Sequence, residues 1–381
     1  MNRKKLKELS VVVCYLSLVL VVLGAWGLRP TGKQAMAAEK IVLTTETGNP
    51  PAMDQTWGRT GKPWTEAVTK RTNGTVQFKS HFAGELASMI DLMRALGSGM
   101  VNVGVPYLGY YPSEFALETY LGSLTHPSFT LGDAERIIIT RVLYSEIPAF
   151  AEAYKKNNLK KIFSVSCTSW QVLSRVPIST LKDFKGVKIR TFGTYIPKML
   201  RAVGAVPVTV PFSEVVDALQ KKVADGTFGN LANFYDLKVY EVAKHIVFLG
   251  VKGIPGHVVP YSWAMNLNDW NKLPVDIKRI MLEEGKRVEM EYGNYSFTEQ
   301  MIAVKEMEKR GCIRHTLSDS DLKRWAELCG DFQSEVSKEL DGKGLPGTET
   351  MAYIKKLSKL PLNELKVRYD KAWEKEFALL K

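Results

Sequence analysis

The sequence predicts an α/β protein of two lobes with a long helix running between them. Three observations predict it. Strand-like and helical patterns alternate from Lys40 to Pro106, and the alternation resumes from near Lys161 to beyond Val210. Leu273-Pro274 then opens a helical pattern that lasts to about Arg310. Alternation of this kind builds a parallel sheet with helices packed on its faces. A chain of 381 residues suits two domains of ordinary size.

In order along the chain, Lys40 to Thr45 is a short strand rich in branched residues, and Trp64 to Lys70 is a helix closed by the Asn73-Gly74 turn signal. Thr75 to His81 alternates in polarity and forms a second strand. Met89 to Leu96 is helical and stops at Gly97 and Gly99, after which Val101 to Pro106 returns to strand. In the second region Ile162 to Val165, Val187 to Thr191 and Val206 to Val210 read as strands, with a helix at Tyr195 to Val203 ended by Gly204. Ser213 is an N-cap for a further helix whose apolar face is Val215, Val216, Leu219 and Val223. The pattern from Leu273 would be about 55 Å long at about 1.5 Å per residue, enough to bridge two lobes. Gly285 and Gly293 oppose it mildly, at about 1 kcal/mol each relative to alanine, and mark a possible bend. Amphipathic helices follow around 319–339 and 349–379.

The first forty residues have their own character. Arg3, Lys4, Lys5 and Lys7 precede an apolar run from Val11 to Leu28, and Ala35-Met36-Ala37 supplies a small-x-small cleavage pattern. That order is a secretory signal peptide cleaved after about Ala37 and marks the mature chain for export. An uncleaved anchor is the alternative, because the run approaches the ~20 residues that span a bilayer. Cys14 lies too early in the run for lipoprotein cleavage. The net charge of +12 includes a signal segment with six basic groups and one acid, so about +7 remains on the mature chain. The remaining Lys and Arg are scattered, many beside acids, which argues against nucleic acid and favours attraction of small anions. Of the other cysteines, Cys312 and Cys329 can pair with Cys167 left over, or all three can stay reduced.

Catalytic signatures are missing. The five histidines (His81, His126, His245, His257 and His315) lack metal-ligand spacing, and there is no G-x-S-x-G elbow or phosphate-cradling glycine loop. Ser179-x-x-Lys182 and Ser320-x-x-Lys323 match a Ser-Lys pattern at the level expected by chance. Neither a metal nor a cofactor is implied, and a binding protein is favoured over an enzyme.

The segment 179–230 carries more information. It places Arg190 at the end of a predicted strand, where open α/β sheets bind ligands. An arginine fork fits a carboxylate and stays charged at physiological pH. The stretches DFKGVKIR (Asp183 to Arg190), GAVPVTVPFSEVVDALQKKVADG (Gly204 to Gly226) and FYDLKVYEVAKHI (Phe234 to Ile246) resemble the solute-binding subunits of tripartite ATP-independent periplasmic (TRAP) transporters, the DctP-like family. FAGEL (Phe82 to Leu86) and G-x-V-N-V-G (Gly99 to Gly104) fit the same family, and the resemblance covers about residues 40 to 330.

The resemblance implies a two-lobe periplasmic-binding-protein fold with a cleft, crossing strands and a long helix spanning both lobes. It gives lobe I as 38–167 plus about 255–295 and lobe II as 168–254 plus about 296–381. It also implies that the chain captures a small organic acid by lobe closure, pairs its carboxylate with Arg190, and delivers it, as a monomer, to TRAP membrane subunits. Where many members carry a second arginine, this chain has Trp170 in Thr168-Ser169-Trp170-Gln171, a change that favours an apolar or aromatic ligand body. Asn230 stands at or beside the family's ligand-holding asparagine. Phe212 and Phe228 lie in the same segments, Tyr107 follows a strand end, and Glu85 holds a position that is often polar. A sensory ligand-binding module and an exported enzyme acting on a small acid are the alternatives.

Overall fold

The computed structural model describes residues 40–52, 54–122, 131–165, 168–250 and 261–380, and from Ile41 onward the chain forms one unit. The expected signal segment 1–37 and Cys167 lie outside the described residues. Two sheets organise the chain. The first contains β1 (Ile41–Glu46), β2 (Val76–His81), β3 (Val103–Gly104), β4 (Leu159–Val165) and β10 (Tyr261–Asn266), in the order β2-β1-β3-β10-β4. The second contains β5 (Gln171–Ser174), β6 (Lys188–Thr191), β7 (Val206–Thr209), β8 (Gly226–Gly229), β9 (His245–Phe248) and β11 (Ile313–Thr316), in the order β11-β9-β5-β8-β6-β7.

Both sheets are mixed, whereas the alternation alone predicts parallel ones. β1 runs parallel to β2 and β3, but β10 is antiparallel to both β3 and β4. In the second sheet β6 is parallel to β7 and β8, while β5 is antiparallel to β8 and β9. The reversed strands have a common cause in the path of the chain. It leaves the first sheet after β4 and enters the second as β5, then leaves after β9 and returns as β10. A strand delivered from the other sheet is not bound by the right-handed crossover that keeps consecutive βαβ strands parallel.

The helical pattern that opens at Leu273-Pro274 is one continuous helix, Val275–Lys309. Its buried residues fall every three or four positions, through Met281, Gly285, Val288, Tyr292, Ser296, Gln300, Val304 and Met307. Met281 to Tyr292 join the core of the first sheet, and Val304 and Met307 join a core of the second. The two glycines mark close packing and not a break in the helix. A Cβ on Gly285 would stand 3.1 Å from the Phe163 ring, and one on Gly293 would stand 2.8 Å from Ile137 Cδ1.

Several local expectations change. The helix after Phe212 begins with a tight turn over Phe212–Glu214 and becomes regular at Val215, so Ser213 does not cap it. The stretches 319–339 and 349–379 are each two helices. Gly330, with φ +64°, separates Asp319–Cys329 from Phe332–Gly342, and Pro361 separates Gly347–Leu357 from Leu362–Ala378. The expected membership of 296–381 in the second lobe fails for its last part. Trp325 packs with the second sheet, but Phe332, Val336, Ile354, Leu365 and Trp373 belong to the first-sheet core. The tail therefore crosses back, because its apolar stripe fits the helix Asp133–Glu146 of that lobe. Cys312 is buried and Cys329 half-buried, and both are free thiols.

Candidate functional site

A cavity lies between the two sheets, with about 540 Å³ of empty space including its mouth. Asn49, Met89, Tyr107, Gly109 and Tyr110 line it from the first sheet's side. Trp170, Arg190, Phe192, Phe212, Phe228, Gly229, Asn230 and Asn233 line it from the second. The mix of aromatic walls with a few polar groups suits a small-molecule site.

Arg190 is the penultimate residue of β6, where its backbone pairs with Val208 and Thr227. The residue is fully buried, and its Nε donates to the Val210 carbonyl at 2.8 Å. The rings of Phe192 and Phe212 lie 5.4 and 5.3 Å from the guanidinium carbon. Trp170 stands just before β5 and meets Phe192 at 5.4 Å and the edge of Phe228 at 5.3 Å. It belongs to the second-sheet core and also lines the cavity. Among the described lining residues there is no acidic side chain.

Asn230 is the N-cap of the helix Leu231–Asp236. Its Oδ1 accepts from the backbone N–H of Ala232 at 2.7 Å and of Asn233 at 3.3 Å, as a good cap does. That use of Oδ1 assigns the orientation of the amide, and Nδ2 remains buried without a protein acceptor among the described residues. The long helix braces this corner. Gln300 Oε1 accepts from Leu231 N–H, and Gln300 Nε2 donates to Ser169 Oγ beside Trp170.

The first-sheet wall is held by Glu46, a fully buried carboxylate at the end of β1. Its oxygens accept from the backbone of Gly48 at 2.8 Å and Leu86 at 3.1 Å, which joins two loops. Gly48 sits at φ +69°, where a Cβ would lie 3.1 Å from Met89 Cα, so glycine is required for the turn. The turn delivers Asn49, whose Nδ2 donates to Tyr107 Oη, while the Tyr107 hydroxyl donates to Thr47 O at 2.9 Å. Tyr110 and Phe192 face each other across the cavity at 6.2 Å.

Of the residues singled out from sequence, Arg190, Asn230, Trp170, Phe212, Phe228 and Tyr107 all line this cavity. Glu85 does not. Its side chain is 61% exposed and lies 2.8 Å from Nδ1 of His81, the last residue of β2. Tyr111, four residues beyond Tyr107, is packed in a first-lobe cluster, and burial pushes its hydroxyl up to about 12. Asn49, Met89, Phe192 and Asn233 were not singled out. Phe192 had a signal, two residues beyond Arg190, and Asn49 had one in the Thr-Gly-Asn turn after β1. Two histidines far apart in sequence also meet, with His245 Nδ1 and His315 Nε2 2.9 Å apart. No group of three metal-ligating side chains occurs among the described residues.

Two sheets between which the chain crosses, with an aromatic, arginine-bearing cavity between them, have the build of a solute-binding protein. The chain belongs to the family described as bacterial extracellular solute-binding protein, family 7 (DctP), whose model matches residues 48–338, and it is of the TRAP type. A C4-dicarboxylate-binding periplasmic protein DctP of Rhodobacter capsulatus is 26% identical over 330 residues, covering 84% of this chain and 91% of that one. Two solved structures share the fold with TM-scores of 0.75, each covering 84% of this chain and 98% of theirs. One, at 22% identity, is a marine metagenome TRAP solute-binding protein specific for aromatic acid ligands, in complex with 3-hydroxybenzoate. The other, at 18% identity, is a TRAP solute-binding protein of Rhodoferax ferrireducens T118 with copurified benzoate. No helix among the described residues is long and apolar enough to cross a membrane.

Proposed function

We propose that this protein is a periplasmic receptor that captures a small organic monocarboxylate with an aromatic or apolar body and delivers it to TRAP membrane subunits. The observation that carries this reading is Arg190, enclosed on the wall of an aromatic cavity between the two sheets. The ligand carboxylate pairs with the guanidinium, whose orientation Val210 and the two flanking rings hold. Asn230 Nδ2 donates to the same carboxylate. Trp170, Phe192, Phe212 and Phe228 enclose the body of the ligand and exclude water, which strengthens the ion pair. Closure of the lobes follows because the ligand touches both walls, and contacts made only in the closed state shift the equilibrium towards it.

The Rhodobacter relative binds C4-dicarboxylates, and that ligand class is the nearest alternative. Trp170 counts against it here, since an indole offers a second carboxylate one N–H and an otherwise apolar face. The fold neighbours crystallised with 3-hydroxybenzoate and benzoate are consistent with the aromatic choice. A thermal-shift screen of residues 38–381 against aromatic, aliphatic and C4-dicarboxylic acids tests the reading. Arene or alkyl monocarboxylates are expected to raise Tm in the native protein and not in Arg190→Ala. A dominant response to dicarboxylates, or one retained in Arg190→Ala, would overturn it.

A further inference from the structure

We propose that Asn49 is a specificity-determining residue that reads a hydrogen-bond donor on the ligand, so that the substrate class is a donor-bearing aromatic monocarboxylate such as a hydroxybenzoate. The inference rests on the function proposed above and narrows it. Asn49 is 2% exposed and lines the cavity from the first sheet, whereas Arg190 and Asn230 line it from the second. Its orientation follows from the neighbouring hydroxyl. The hydrogen of Tyr107 is committed to Thr47 O at 2.9 Å, so the Tyr107 oxygen acts as an acceptor towards Asn49. Asn49 must therefore turn its Nδ2 to Tyr107, which leaves Oδ1 as the amide's other polar atom. That Oδ1 is buried and has no protein donor among the described residues.

The first-sheet wall thus brings the acceptor Asn49 Oδ1 to a cavity whose other wall carries the Arg190 guanidinium and the Asn230 Nδ2 donor. A buried acceptor left without a donor when the lobes close weakens binding by the desolvation of its carbonyl. A ligand that brings an O–H or N–H to it avoids that cost. A second carboxylate there would set acceptor against acceptor, which disfavours dicarboxylates independently of Trp170. Sites built to hydrogen-bond a ligand hydroxyl discriminate strongly against analogues lacking it, because their own polar groups are then stranded.

The test is calorimetric titration of residues 38–381 with benzoate, the three hydroxybenzoates and the three fluorobenzoates, whose fluorine is small and donates no hydrogen bond. At least one hydroxybenzoate is expected to bind about tenfold or more tightly than benzoate, and its fluoro counterpart no more tightly than benzoate. In Asn49→Ala the advantage of that hydroxybenzoate over benzoate should shrink to about twofold or less. Benzoate binding as tightly as every hydroxybenzoate in the native protein overturns the inference, whether or not the variant folds, and leaves the monocarboxylate reading standing. A hydroxyl preference that survives Asn49→Ala overturns it too. No binding by any arene acid overturns both.

Discussion

Arg141 in the first lobe and Arg190 in the second are both enclosed, at 3% and 0% exposure, but the molecule treats them differently. Arg141, on the helix Asp133–Glu146, meets Glu289 at 3.3 Å, donates to the Ile162 carbonyl and lies 3.8 Å above the Trp373 ring. Glu289 also accepts from Ser164 N–H and from the Tyr369 hydroxyl, each at 2.7 Å. Burial alone would disfavour the charge on Arg141, yet Glu289 and Glu376 more than offset it and raise its pKa. Arg190 is held by a neutral carbonyl and flanked by two rings at the edge of a cavity. A buried charge locked to a carboxylate inside the core is structural, and one on the wall of a cavity can serve an anion from outside.

The largest effects expected from this comparison differ between the two arginines. Arg141→Leu leaves Glu289 buried without its cation and should destabilise the protein by about 3–5 kcal/mol, read by denaturant unfolding. Ligand affinity in the fraction that folds should be unchanged. Arg190→Leu should instead weaken carboxylate affinity by about 2–5 kcal/mol, with a smaller loss of unliganded stability than Arg141→Leu. Equal effects of the two substitutions on stability would erase the distinction.

A smaller effect concerns pH and the first lobe. Glu118 is buried beside Tyr144, whose hydroxyl donates to it at 2.7 Å. Burial raises its carboxyl from the ordinary 4.5 to about 7, with the Tyr144 hydrogen bond and the charge of Lys161 opposing the shift. In the unfolded chain the proton leaves near 4.5, while the folded protein keeps it to about 7. The unfolded state therefore binds fewer protons across that window, and stability falls as pH rises through it. The loss is up to about 3 kcal/mol for a shift of this size. Glu118→Gln should flatten this slope between pH 4.5 and 7, and an unchanged slope would show that the carboxyl does not titrate there.

The smallest expected effect is that of Glu85→Gln. The side chain is exposed, and its partner His81 is the last residue of β2. Ligand affinity should stay within about twofold and stability within about 1 kcal/mol, as for other exposed side chains. A tenfold loss of affinity would return Glu85 to the ligand site.

What was legible in the sequence follows the range of the interactions involved. β1, β2 and β6 are visible because alternation and branched residues act locally, and Arg190 is visible because it lies near the end of such a strand. The helix Val275–Lys309 is visible from its period, but the packing of its glycines on Phe163 and Ile137 depends on residues more than a hundred positions away. For the same reason nothing local separates Arg141 from Arg190, since Glu289 lies 148 residues beyond Arg141. The reversed strands β5 and β10, and the tail's return to the first sheet, depend on where the chain crosses rather than on any segment's pattern. Asn49 was hidden because its importance depends on Tyr107, 58 residues later, taking up one side of its amide. Glu85 misled because a motif position carries no direction for the side chain.

The central claim is that an organic acid bridges the two walls with its carboxylate on Arg190. A crystal structure of residues 38–381 bound to the tightest-binding acid tests this most directly. The account predicts the carboxylate at about 3 Å from the Arg190 guanidinium, with the ligand body between Trp170, Phe192 and Phe228. A ligand whose carboxylate lies away from Arg190, or that sits outside the cavity altogether, would contradict it.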